Sequence, residues 1–124
     1  MYGIGDYRKG WALRYMREAQ AEVLAARKTP SIAQSLILEA MRKAQAALYY
    51  SLGDPSFIEG IVIKEVFEKS QASEDPILNF LVEIEKAIQR FSQSVDFRPE
   101  AIEEVDDLVQ FASDVVELFT GEKA

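Results

Sequence analysis

Apolar residues recur along this chain at spacings of three and four, interrupted by short polar or proline-containing stretches, and that rhythm predicts helices from one end to the other. Residues 31–54 form the most apolar long stretch. Within it Ala33, Leu36, Ile37, Ala40, Met41, Ala44, Ala47 and Leu48 make one broad face, wide enough to be covered by more than one neighbour. Its repeated alanines let other helices approach closely, so it reads as the central helix of a bundle. The expected ends are Thr29 as a capping residue with Pro30 in the first turn, and Gly53 in a left-handed cap ahead of Pro55.

The flanking pattern supplies the neighbours. A first helix is expected from about Asp6 to about Lys28, with a stripe of Ala12, Met16, Ala19, Val23 and Ala26 widened by Trp11, Leu13 and Tyr15. The connection to the central helix is short, which makes the two an antiparallel hairpin. Beyond Gly53, Asp54 is placed to cap a third segment over residues 57–69. The β-branched run Ile61, Val62, Ile63 and the internal Gly60 keep a strand as the rival there. No second strand candidate exists to complete its ladder, so helix is the expectation.

After a polar linker over residues 71–75, Asp75 followed by Pro76 repeats the capping start. Ile77, Leu81, Ile84, Ile88, Phe91 and Val95 then form a heptad seam on a helix reaching about Ser94. The stretch from Asp96 to Pro99 breaks the chain. The last helix carries Ile102, Val105, Val109, Ala112, Val116 and Phe119 and ends at Gly121. The expected architecture is all-α: one domain over residues 1–124, an up-and-down four-helix bundle crossing at about 20°, with a shorter extra helix between the two pairs.

Composition removes much of the chemistry. The chain has no cysteine, which excludes disulfides and thiolate metal sites, and no histidine, which removes the commonest general base and metal ligand together. No Ser-His or Cys-His nucleophile can be assembled. No phosphate-binding glycine loop is present, and Gly3 and Gly5 lack a preceding strand. Glu100, Glu103, Asp107 and Asp114 fall on one side of the last helix, away from its apolar stripe, and read as a solvated face rather than a metal site. The expectation is a protein with no catalytic residues, no metal and no cofactor. The opening residues lack the apolar core of a signal peptide and no segment reaches membrane-spanning length, so the cytoplasm is the expected location, with no membrane partner.

Charge adds an asymmetry. Residues 1–50 hold eight Lys/Arg against four Asp/Glu, a balance of +4, while residues 51–124 hold six against seventeen, a balance of −11. One reading packs basic helices beside acidic ones, within the chain or across a dimer. The other makes the first hairpin an RNA or nucleotide surface using Arg14, Arg17, Arg42 and Lys43, with Trp11 and Tyr15 interleaved for stacking. Tyr7, Trp11 and Tyr15 step by fours and share one side, which suits a helix–helix seam equally. Trp11, Tyr15, Phe57, Phe67, Phe80, Phe97 and Phe111 are many rings for one small core. The surplus favours a homodimer, with Trp11, Tyr15, Phe80 and Phe111 as candidate contacts.

The helical order resembles the HEPN domains, small all-α nucleotide- and RNA-associated proteins of prokaryotes. The match lies in an alanine-rich first helix from Ala19 to Ala26, a short turn, and a second helix with Ala40, the pair Arg42 and Lys43, Ala44, Ala47, Leu48 and Tyr49 before Gly53. A closing helix opened by DFRPEAIEE completes it. The resemblance implies a homodimer. It also implies a role beside a minimal nucleotidyltransferase or in a toxin–antitoxin or defence system. Ribonuclease-active members carry Arg-x(4–6)-His near the last helix. Arg98 stands at the comparable place, but Glu103, Glu104 and Val105 occupy the positions where the histidine would fall. The resemblance therefore implies a non-catalytic member in which Arg98 retains at most a phosphate contact.

Overall fold

The computed structural model describes residues 5–68, 74–94 and 97–124, and every regular element among them is a helix. Residues 71–73 of the expected linker, Lys69 at the end of the expected third segment, the seam position Val95, Asp96 and Gly3 lie outside the described residues. The helices are α1 (Asp6–Lys28), α2 (Ala33–Leu52), α3 (Pro55–Glu68), α4 (Pro76–Gln93) and α5 (Glu100–Thr120), with a single 3-10 turn over Pro30–Ile32 before α2. The third segment is thus helical, as the missing partner strand required.

Helix ends follow local chemistry, with two corrections. Asp54 Oδ1 accepts from the backbone N–H groups of Ser56 (2.9 Å) and Phe57 (3.3 Å). Asp75 Oδ1 does the same for Ile77 (2.9 Å) and Leu78 (3.4 Å). Both acids satisfy donors that the first helical turn leaves unpaired. Gly121 closes α5 in the left-handed region at φ 80°. Thr29, expected to cap α2 with its side chain, makes no such bond, because the 3-10 turn intervenes and α2 starts at Ala33. Gly53, expected in a left-handed cap, is extended at φ 171°, a backbone any residue adopts. An added Cβ would stand 3.3 Å from Ile58 Cδ1, the end of a flexible side chain.

α2 is the central element. It packs against α1, α3, α4 and α5, and α5 also packs on α1. Side-chain pairs fix the directions. Arg8 Nε donates to the Tyr50 carbonyl (3.1 Å) and Lys43 meets Glu22 (2.7 Å), so α1 and α2 are antiparallel. Gln20 donates to Ser113 Oγ (3.2 Å), Arg27 pairs with Glu103 and Asp106, and Lys9 pairs with Glu122, so α1 and α5 are antiparallel too. Gln45 donates to Glu85 (2.5 Å) and Gln34 to the Ser94 carbonyl (3.0 Å), which sets α4 antiparallel to α2. It follows that α2 and α5 run parallel. Small residues in both, Ala40, Ala44 and Ala47 in α2 and Ala112 and Ser113 in α5, are buried, and such positions permit close backbone approach.

One connected core draws on all five helices. Met16, Ile37, Met41, Leu48, Ile84, Val62, Val105, Val109 and Val116 are its largest fully buried side chains. The α4 seam is used as its spacing indicates, with Leu81, Ile84 and Ile88 buried. α3 is the exception. Val62 is its one buried residue, while Ile58 and Val66 are partly covered.

Candidate functional site

The first hairpin carries an aromatic cluster built across α1 and α2. Trp11 stacks on Tyr50 (centroids 6.4 Å apart, planes at 25°) and lies 5.5 Å from Tyr15, which stacks in turn on Tyr50 (6.0 Å, 25°). Tyr7 meets Trp11 edge-on at 6.4 Å. Trp11 and Tyr15 are half-buried, and the rings engage one another as a seam. Tyr50, which the period of α1 could not reveal, is the ring that joins the two helices. The Arg14 guanidinium lies 5.2 Å from the Trp11 centroid, within cation–π range.

The basic residues of this hairpin divide into two sets. Lys43 bonds Glu22 (2.7 Å) and Glu18 (3.0 Å), and Arg14 bonds Glu18 (3.1 Å). These contacts hold the Glu18 carboxyl below its usual range, with the Lys43 bond the largest cause, and lift the Lys43 ammonium well above its own. The Glu22 carboxyl moves the other way. Burial pushes it up, the Lys43 bond opposes, and the neighbouring Glu39 adds to the rise. Glu22 Oε1 is buried without a hydrogen-bond partner. Arg17 and Arg42, in contrast, are exposed and make no ion pair among the described residues. Arg42 and Lys43 border a depression of about 530 Å³ that Tyr15 and Glu39 also line. Arg98 is exposed on a different surface, in the loop before α5, where it lines a depression of about 830 Å³ with Arg90, Phe91 and Glu104.

Phe80 and Phe111 come together, edge to face, with centroids 4.5 Å apart. They differ in what they offer a partner: Phe80 is 7% exposed and belongs to the core, whereas Phe111 keeps 48% of its surface in solvent. With Leu108, Glu83, Glu104 and Asp107 they border a depression of about 420 Å³ between α4 and α5.

The acids of α5 that share one side, Glu100, Glu103, Asp107 and Asp114, are exposed. Glu103 is bound by Arg27, which draws its carboxyl below the usual range. No group of metal-ligating side chains occurs among the described residues. No helix among them is long and apolar enough to cross a membrane.

The largest departure from an ordinary helical surface is on α3. Phe57 is 68% exposed and Phe67 78%, with Ile61 also in solvent. Gly60, Lys64 and Glu68 share this side of α3, so its exposed apolar groups are interleaved with charge. The expectation that some rings would find no place in the core is met at Phe57, Phe67 and Phe111. The chain matches no protein-family model, no curated protein and no solved structure.

Proposed function

We propose that this chain is a non-catalytic helical interaction module of HEPN-like type that self-associates as a homodimer. The antiparallel order of α1, α2, α4 and α5 supports reading those four as an up-and-down bundle with α3 as the shorter extra helix. The observation that carries the proposal is α3. One side of α3 rests on the core through Val62, while the large rings of Phe57 and Phe67 face water, apolar surface that a second copy would cover. Each ring contributes about 1.5–3 kcal/mol when an interface fully encloses it, and a two-fold axis doubles the number of rings involved. The test is solution mass by light scattering. The wild-type chain is expected as a dimer, and Phe57→Ser with Phe67→Ser as a monomer of unchanged helix content. A wild-type chain that stays monomeric at high concentration overturns the dimer.

On the HEPN resemblance, the dimer serves as a prokaryotic cytoplasmic partner to a nucleotidyltransferase or within a toxin–antitoxin or defence pair. Co-purification with the product of a neighbouring gene tests that role.

A second reading rests on Arg17 and Arg42, exposed and without ion pairs among the described residues, of which Arg42 shares a depression with Tyr15 of the ring cluster. It makes the outer face of the first hairpin an RNA or nucleotide surface. It is the weaker reading because Arg14 and Lys43 are engaged by Glu18 and Glu22, and Arg98 stands apart. It predicts binding of short single-stranded RNA that weakens steeply with salt and is lost in Arg17→Ala with Arg42→Ala.

A further inference from the structure

α3 is held differently from the other four helices. Polar side chains tie α1, α2, α4 and α5 to one another: Lys43 to Glu22, Arg27 to Asp106, Gln45 to Glu85 and Arg90 to Glu104. Among the described residues, no side chain of α3 makes an ion pair or hydrogen bond with another helix. Its polar support is the Asp54 cap at its own first turn. Its apolar support is one narrow line of Ile58, Val62 and Val66, each a turn after the last. α3 buries one of its 14 residues, where α4 buries six of 18. Gly60 and the β-branched Ile61, Val62, Ile63 and Val66 all disfavour an isolated helix. A helix this short has little stability of its own in water, so α3 is folded only while docked.

What lies at its seat opposes the docked state. Tyr49 sits on α2 at the junction with α3 and α4. One turn before it Gln45 donates to Glu85 of α4, and one turn after it Gly53 lies against Ile58 of α3. Tyr49 is 5% exposed, and its hydroxyl is buried with no hydrogen-bond partner among the described residues. Gln45 lies close, but its amide is given to Glu85 (2.5 Å). Burial pushes the Tyr49 phenol up, and the charges of Glu85 on α4 and Glu59 on α3 add to the rise. A hydroxyl enclosed without a partner destabilises the state that encloses it.

We propose that α3 is a lid over Tyr49: it undocks and unfolds while α1, α2, α4 and α5 stay packed, and opening gives the Tyr49 hydroxyl to water. Closing seats Val62 and strands the hydroxyl; opening reverses both. The lid is a property of one chain and does not rest on the homodimer. A second copy bound at Phe57 and Phe67 would hold it shut. Each measurement is therefore made both on the wild-type chain and on Phe57→Ser with Phe67→Ser, which alters exposed positions only.

The experiment is amide hydrogen exchange of the full chain, followed by NMR at low urea. Interior amides of α3 are expected to exchange on the order of a hundredfold faster than those of α1, α2 and α5, with a shallow urea dependence, because the opening exposes little surface. Val109 is buried on α5, which packs on α1 and α2, so its surroundings persist when the lid opens. Val109→Ala is expected to speed exchange in α1, α2 and α5 by about tenfold and to leave α3 unchanged. Gly60→Ala should slow α3 exchange about two- to fivefold, and Tyr49→Phe about threefold or more, since no hydroxyl is then stranded. The proposal is overturned if α3 exchanges in step with the other helices in both chains, if Val109→Ala speeds α3 by the same factor as the rest, or if Tyr49→Phe leaves α3 exchange unaltered. Fast exchange of α3 in the doubly substituted chain alone supports the lid and shows it closed by a second copy. Failure of the dimer would appear in light scattering and leave these readouts untouched.

Discussion

Lys43 Nζ stands 2.7 Å from Glu22 Oε2 and 3.0 Å from Glu18 Oε1, so one ammonium from α2 holds two carboxylates one turn apart on α1. Glu22 is the dependent member, since its other oxygen is buried and unpartnered. Removing the cation leaves a carboxylate in a site that water reaches poorly. Lys43→Met is therefore expected to cost about 1–3 kcal/mol in urea denaturation. Because the Lys43 ammonium is lifted above its usual range, its contribution is present throughout neutral pH and is lost only far into the alkaline range. A stability unchanged by Lys43→Met would remove this cluster from the account of the hairpin.

Glu22→Gln probes the same cluster with the opposite sign. Burial raises the carboxyl above its usual 4.5, so the charged form is disfavoured in the folded chain relative to the unfolded one. That penalty exists above the folded value and disappears as pH falls through it. The amide variant is expected to melt no lower than wild type at neutral pH, and any gain should close as the pH drops toward 4.5. A variant that melts lower at neutral pH would show that the Lys43 bond outweighs burial.

The pair Arg27 and Glu103 ties the end of α1 to the first turn of α5. The guanidinium draws the Glu103 carboxyl below its usual 4.5, so its contribution is present above that pH and is lost as pH falls through the folded value. Comparing thermal unfolding of wild type and Glu103→Gln from neutral pH into acid should show a gap at neutral pH that closes below about 4.5. A gap that persists at the acid end would assign the effect to something other than ionisation.

The glycines divide by backbone. Gly10 and Gly60 lie inside α1 and α3 with open space where a Cβ would stand. Gly10→Ala and Gly60→Ala should each add about 0.5–1 kcal/mol by reducing the freedom of the unfolded chain. Gly121 has φ 80°, and Gly121→Ala should cost about 1 kcal/mol, because a Cβ is strained in that region. Chemical denaturation of the three variants checks all of this, and a Gly121→Ala variant as stable as wild type would mean the end of α5 rearranges at little cost.

Much of the fold was legible because it is local. Asp54 and Asp75 announce their helices with a carboxylate ahead of free backbone donors, and Gly121 marks an end. The α4 seam reads off its period. Thr29 and Gly53 misled for a local reason as well: a three-residue turn and an extended backbone are alternatives that residue type alone does not separate. Ion pairs across distant segments were beyond reach. Arg27 meets Glu103 and Asp106 from the other end of the chain, and only the packed helices bring them together. The charge asymmetry between the halves is answered partly there and partly inside the first hairpin, by Glu18 and Glu22. Phe80 and Phe111 show the same limit. Both are aromatics on amphipathic helices, yet one is enclosed and the other half open, because α4 and α5 sit apart.

Gln20 and Ser113 touch across 93 positions of sequence, and α5 lays its whole inner face on α1 and α2. During synthesis the first hairpin therefore leaves the ribosome with its alanine-lined side uncovered and waits for the last helix to emerge. At about 5–20 residues per second that interval is several seconds. Over that time the nascent hairpin presents the kind of sticky surface that chaperones recognise. Slow elongation, or loss of α5 by premature termination, should send the product to aggregation or proteolysis rather than to a smaller stable fold.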